Sequence, residues 1–191
     1  AYTPSLWRIV IAGGVVSGSQ KASRVAARVR IDEGSGVWHG ETDYAGPQKA
    51  LRLAGARLVP VPVDGEGLDV AEGIARCRNA RAAYVTPSHQ FPLGVTMSAS
   101  RRLLLLDWAR RNGSWVIEDD YDSEYRYGSL PLAYLQGLDR DERVTYVGTF
   151  PKIRFPTMSI GDISLPRDLV TTFLVALRGV GFASTLVGRA V

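Results

Sequence analysis

The chain has 191 residues, 46% of them apolar and 22% charged, with a formal net charge of +4. That is enough chain and enough apolar surface for one packed domain, and it excludes a disordered or low-complexity protein. No apolar run approaches the ~18 residues of a membrane-spanning helix, no secretory leader pattern is evident, and a single cysteine, Cys77, excludes an internal disulfide, all of which leads us to expect a cytoplasmic protein. Lysine is scarce: Lys21, Lys49 and Lys152 stand among 23 basic residues. The arginines are scattered through amphipathic segments with no basic run interleaved with aromatics, so no direct nucleic-acid surface is expected.

In chain order, KASRVAARVR (21–30) reads as a helix after the turn-like SGSQ (17–20), and GVWHGE (36–41) as a strand. GPQKALRLAGA (46–56) is helical, RLVPVPVD (57–64) a strand carrying prolines, and GLDVAEGIARCRNA (67–80) helical by its apolar spacing. AAYVTPS (82–88) is a strand entering the loop HQFPLG (89–94). SASRRLLLLDWARRNG (98–113) is the clearest helix, with Ser98 or Ser100 to cap its start and Asn112-Gly113 to end it. SWVIEDD (114–120) and RVTYVGTF (143–150) are short apolar strands. The tail from Pro166 reads as helix with a glycine interruption, and Trp7, Trp38, Trp108 and Trp115 as core.

Strands alternating with helices, with near-continuous apolar strands, predict an α/β fold: a three-layer αβα sandwich around a mainly parallel sheet. In such sheets ligands bind beyond the carboxyl ends of the strands. Four polar clusters fall at such ends: Ser17–Gln20, Thr86–Gly94, Glu118–Asp122 and Gly148–Lys152. The run of carboxylates after Trp115-Val116-Ile117 asks for compensation, because like charges this close repel. We expect it to lie in a site at the strand end and not inside the sheet, with Asp120, Asp122 and Glu124 solvated or paired with arginines. A ligand with a cationic ring nitrogen would meet the need. Pyridoxal 5'-phosphate is such a ligand: it takes a carboxylate at its pyridine nitrogen, a lysine amine, backbone N–H groups at a helix start for its phosphate, and an aromatic plate over the ring. Asp119, Lys152, the 17–20 turn and Tyr44 supply one of each.

The stretch from TPSHQFPLG through WVIEDDYDSEYRYG to YVGTFPK (86–152) resembles the aminotransferase-like domain of the MocR group of GntR-family bacterial transcription regulators. It is more distantly similar to fold-type I aminotransferases. The resemblance implies that Lys152 is the Schiff-base lysine and that Asp119 pairs with the pyridine nitrogen. It implies that Tyr121 meets the ring hydroxyl and Tyr44 stacks on the ring. Gly18, Ser19 and Gln20 match the phosphate-binding turn, Thr149 adds a phosphate contact, and His89 and Gln90 lie in the loop near the ring. Phe91 stands before Pro92 where the enzymes have asparagine. Pro151 stands before the lysine where the family has serine. Ser159 stands where the family has a phosphate-binding arginine, and Arg154 is the candidate substitute.

The resemblance further implies one partial large domain over 1–191, without the winged-helix DNA-binding domain or the C-terminal small domain of the family. It implies a homodimer that senses the cofactor and an amino compound and meets DNA only through a separate domain. Two other readings stay open: an aminotransferase acting on amino acids, and a degenerate dimerisation module that binds no cofactor.

Overall fold

In this computed structural model the described residues are 6–13, 18–43, 45–121, 133–149, 159–179 and 185–189. The elements follow in order: β1 (Leu6–Gly13), α1 (Gly18–Arg30), β2 (Gly36–Gly40), α2 (Ala45–Leu53), β3 (Arg57–Val61), β4 (Val63–Asp64), β5 (Gly67–Leu68), α3 (Val70–Cys77) and β6 (Ala82–Val85). Then come α4 (Ala99–Asn112), β7 (Trp115–Asp120), α5 (Leu135–Leu138), β8 (Val144–Thr149), β9 (Ser159–Pro166), a 3-10 turn (Arg167–Leu169), α6 (Val170–Gly179) and β10 (Thr185–Arg189).

Eight strands form one sheet in the order β10-β1-β9-β8-β7-β6-β2-β3. The pairs from β8 through β7, β6 and β2 to β3 are parallel; β8-β9, β9-β1 and β1-β10 are antiparallel. Two antiparallel steps separate β1 from β8, so these two strands point the same way. The chain therefore leaves β1 and enters α1 at the edge of the sheet where β2, β6, β7 and β8 also end.

Strand residues alternate between faces, and the two apolar cores follow that alternation. Ala82, Tyr84, Ile117 and Val147 meet Val25, Ala26 and Ala27 of α1, Leu51 of α2, and Phe173 and Leu177 of α6 on one face. Ala83, Val85, Val116 and Val144 meet Leu105, Trp108 and Ala109 of α4 and Leu135 of α5 on the other. These two covered faces are the three layers that the alternating elements predict. Trp38 and Trp108 stack at 3.8 Å between ring centres within the second core.

Local signals set the helix ends. Ser98 Oγ accepts from Arg101 N and starts α4, while Gly113 adopts φ 63°, a left-handed geometry that costs glycine little, and its N–H closes on the Ala109 and Arg110 carbonyls. Asp69 caps α3 by accepting from Ala71 N and Glu72 N.

Several expectations are corrected. Helix α3 begins only at Val70, because Gly67 and Leu68 pair with Val63 and Asp64 as a small hairpin. The proline-bearing strand divides after Val61: Pro60 sits in the outermost strand, where a missing N–H costs no ladder bond, and Pro62 ends it. The tail is not one interrupted helix. It runs as the 3-10 turn, α6 and then β10, a strand paired antiparallel to β1. Trp115 is only partly buried and carries the Arg30 guanidinium 3.1 Å and that of Arg143 4.7 Å from its ring centre. Burial beside these charges holds Arg30 down to about 9.

Candidate functional site

The three consecutive acids are the last three residues of β7, and all are buried. This corrects the expectation that they lie beyond the sheet and that Asp120 is solvated. Strand alternation turns Asp119 away from its two neighbours but does not remove the repulsion, since Asp120 still raises the carboxyls of both Glu118 and Asp119. Glu118 and Asp120 share the face of Val116. Glu118 accepts from Leu135 N at 3.0 Å and Gln136 N at 2.9 Å, capping the short helix α5. Burial raises its carboxyl to about 7, against the pull of those two N–H groups. Asp120 accepts from the Tyr146 hydroxyl at 3.1 Å.

Asp119 alone points to the face of Ile117, toward α1. It is 7% exposed. Its Oδ2 accepts from the Tyr84 hydroxyl at 2.6 Å and from Ser23 Oγ of α1 at 3.4 Å. Its Oδ1 is buried and has no hydrogen-bond partner among the described residues. Burial pushes this carboxyl up to about 6, opposed by the Tyr84 and Ser23 bonds and assisted by the charges of Asp120 and Asp43. Tyr84 is raised well above the usual phenol range, first by burial and then by Asp119, so it stays a neutral donor.

Tyr121 follows at the mouth of the strand, 39% exposed, with its ring 6.3 Å from that of His89 and 25° from parallel. The loops after β2 and β6 meet beside it: Asp43 and Gln90 are joined by a 3.0 Å hydrogen bond. Burial raises the Asp43 carboxyl. His39 is buried in β2 with its ring Nδ1 2.8 Å from the Gly40 carbonyl.

Gly18, Ser19 and Gln20 form the first residues of α1, at the same sheet edge as Asp119, and Thr149 is the last residue of β8. Tyr44, Lys152 and Arg154 lie outside the described residues. Ser159, at the position of the missing family arginine, opens β9 opposite Gly13. Sequence reasoning passed over Tyr84 and Ser23. The available signal was a phenol in an otherwise aliphatic buried strand, which requires a partner for its hydroxyl.

A carboxylate oxygen with no partner among the described residues, buried at the ends of parallel strands, has the chemistry to accept from a cationic ring N–H. The probable rhizopine catabolism regulatory protein MocR of Rhizobium meliloti is 42% identical over 176 residues, covering 92% of this chain and 35% of that protein. The HTH-type pyridoxine biosynthesis transcriptional regulator PdxR of Corynebacterium glutamicum is 36% identical over 72% of this chain and 29% of its own length. This chain is an aminotransferase-like domain of the MocR regulator type. Among solved structures, kynurenine aminotransferase from Pyrococcus horikoshii superposes with a TM-score of 0.81 at 29% identity, over 91% of this chain and 44% of that one. The α-aminoadipate aminotransferase LysN of Thermus thermophilus, complexed with N-(5'-phosphopyridoxyl)-L-leucine, gives 0.79 at 30% identity, over 90% of this chain and 45% of that one. No family model matches the chain. The MocR-type chain spans about a third of the length of the curated regulators it matches. Its fold is that of the pyridoxal-phosphate-dependent aminotransferases. No described helix is long and apolar enough to cross a membrane.

Proposed function

We propose that this chain is the pyridoxal-phosphate-binding, effector-sensing module of a MocR-type transcription regulator. The carrying observation is Asp119: a buried carboxylate with one oxygen held by Tyr84 and Ser23 and the other without a partner among the described residues.

In this reading Asp119 Oδ1 receives the ring N–H, and its negative charge keeps that nitrogen protonated. Bound there, the cofactor supplies an electron-withdrawing ring and an aldehyde reactive toward amines. Tyr121 donates to the ring hydroxyl from the end of β7, and His89 stands beside it. Lys152 offers its amine, Tyr44 covers the ring, and Arg154 replaces the phosphate cation that Ser159 does not provide. The start of α1 at Gly18, Ser19 and Gln20 presents unpaired N–H groups to the phosphate, joined by Thr149. The partners proposed are the cofactor, an amino compound and a second copy of the chain in the cytoplasm, with DNA engaged by another part of the regulator.

A second reading, an aminotransferase acting on amino acids, draws on the likeness to the Pyrococcus and Thermus enzymes. Titration of the protein with pyridoxal phosphate, followed by a panel of amino acids, separates the two. A protein-dependent visible band that shifts reversibly with an amine supports the sensor. Steady conversion of added amino acid to keto acid supports the enzyme. No band with the wild-type chain contradicts both.

A further inference from the structure

The amino edge of the sheet, opposite the Asp119 site, carries three arginines around one indole. Trp115 opens β7, Arg81 stands just before β6 and Arg143 just before β8. Their backbones are tied across the strands: Trp115 N donates to the Arg81 carbonyl at 3.0 Å, and Val116 N to the Arg143 carbonyl at 2.9 Å. Arg30, the last residue of α1, lays its guanidinium 3.1 Å from the Trp115 ring centre, and that of Arg143 lies 4.7 Å from it. Arg143 and Arg81 are both near enough to oppose the charge on Arg30. Arg30 is only 6% exposed, so one of three gathered like charges is out of water.

The described acids do not neutralise it. Asp32 pairs with Arg81 at 3.6 Å. Asp168, the acid whose charge favours the Arg30 cation, is exposed and forms no ion pair with it among the described residues. The indole face and the carboxyl end of α1 both favour a cation. They act on its charge and leave its N–H groups unmet. Arg30 Nε and Nη2 are buried without a hydrogen-bond partner among the described residues, and so is Trp115 Nε1. Those two Arg30 nitrogens form the side of the guanidinium fork that grips a carboxylate or phosphate through two parallel N–H bonds. Buried donors without acceptors are rare and costly. Each of these unmet groups is a donor, so what completes the set is an anion offering paired oxygens.

We infer that the Nε–Nη2 edge of Arg30, rimmed by Arg143 and Arg81, is an oxyanion site that takes a carboxylate or a phosphate group. Arg81 is exposed and Arg143 half-buried, so an incoming anion meets these two first. The Arg30 guanidinium then turns in its own plane toward the anion and keeps its stack on the indole. The oxyanion arrives free in solution or on an acidic side chain from the rest of the regulator, since the chain spans 35% of the Rhizobium relative. The site does not depend on the cofactor reading. Ser23 of α1 reaches Asp119, whereas Arg30 reaches Trp115 about two turns, or ~10 Å, further along the same helix.

The test follows the Trp115 indole N–H and Arg30 Nε–H resonances of the full chain without cofactor, assigned with Trp115→Phe and Arg30→Met. Inorganic phosphate, acetate and a hexaglutamate peptide are titrated in turn at an ionic strength held constant with chloride. Both resonances should move saturably. Movement with phosphate or acetate identifies a free anion as the ligand, and movement with the peptide alone identifies an acidic segment. Phosphate bound at the far end of α1 would leave these two resonances in place. Affinity should fall about tenfold or more in Arg30→Met, as much in Arg30→Lys, which keeps the charge without the fork, and less in Arg143→Gln. Wild-type affinity in Arg30→Lys would overturn the fork. Resonances that move with none of the three probes, or equally with chloride, would overturn the site. Should Arg30→Met fail to fold, the wild-type titration together with Arg143→Gln decides.

Discussion

The Tyr84 hydroxyl donates a 2.6 Å hydrogen bond to Asp119 Oδ2 from the neighbouring strand, and both groups are buried. The bond does two things. It partly offsets the cost of keeping Asp119 ionised in a dry place, and it commits one carboxylate oxygen while the other has no partner among the described residues.

Replacing Tyr84 by phenylalanine keeps the ring in the first core and removes the donor. A hydrogen bond to a charged group contributes about 1.5–3 kcal/mol, so pyridoxal phosphate affinity at neutral pH should drop tenfold or more while the far-ultraviolet dichroism is retained. Affinity unchanged in Tyr84→Phe, measured by absorbance titration, would show that Asp119 does not depend on this bond.

Asp119 and Glu118 give the cofactor-free chain a distinctive pH dependence. Their folded values, about 6 and about 7, lie above those of the unfolded chain. Between roughly pH 4 and pH 7 the folded state therefore binds more protons than the unfolded state, and their contribution falls as pH rises. Asp119→Asn removes its share and should flatten the slope of unfolding free energy against pH over about 4–6. Denaturant unfolding at several pH values checks this, and an unaltered slope would mean that Asp119 is not raised. Cofactor binding should show the opposite sense, strengthening as pH rises through about 6 in the wild type more than in Asp119→Asn.

Much of this arrangement is legible in the sequence, and the limits have identifiable causes. The α4 caps and the apolar strands follow from local chemistry at Ser98, Gly113 and the strand interiors. The burial of all three acids did not follow, because a carboxylate run looks solvated until strand alternation assigns each member its own partner. The strand at 185–189 was hidden for a different reason: its leucine and valine suit either helix or strand, and only pairing with β1, nearly the whole chain away, decides. The Gln90–Asp43 joint spans 47 residues and leaves no periodic trace.

Gly73 tests the second core. A Cβ there would lie 2.9 Å from ring atoms of Trp38. That ring cannot yield, because it stacks on Trp108 and its Nε1 donates to the Cys77 carbonyl at 3.0 Å. Gly73→Ala should lower stability by about 1–3 kcal/mol in spite of alanine's better helix propensity. A denaturation midpoint at or above wild type would show that α3 shifts freely over the sheet.

Glu118 tests the cap on α5. Glu118→Ala leaves the N–H groups of Leu135 and Gln136 without their acceptor and should cost about 1–3 kcal/mol. Glu118→Gln keeps one acceptor oxygen and should cost less. Equal melting temperatures for the two variants would count against the cap.

The central claim is that the edge of the sheet at Asp119 holds pyridoxal phosphate against Lys152. The most direct measurement is borohydride fixation of the cofactor on the intact chain, with peptide mapping by mass spectrometry. The account predicts label on Lys152, absent in Lys152→Ala and much reduced in Asp119→Asn. Label spread evenly over Lys21, Lys49 and Lys152, or no label, would contradict it.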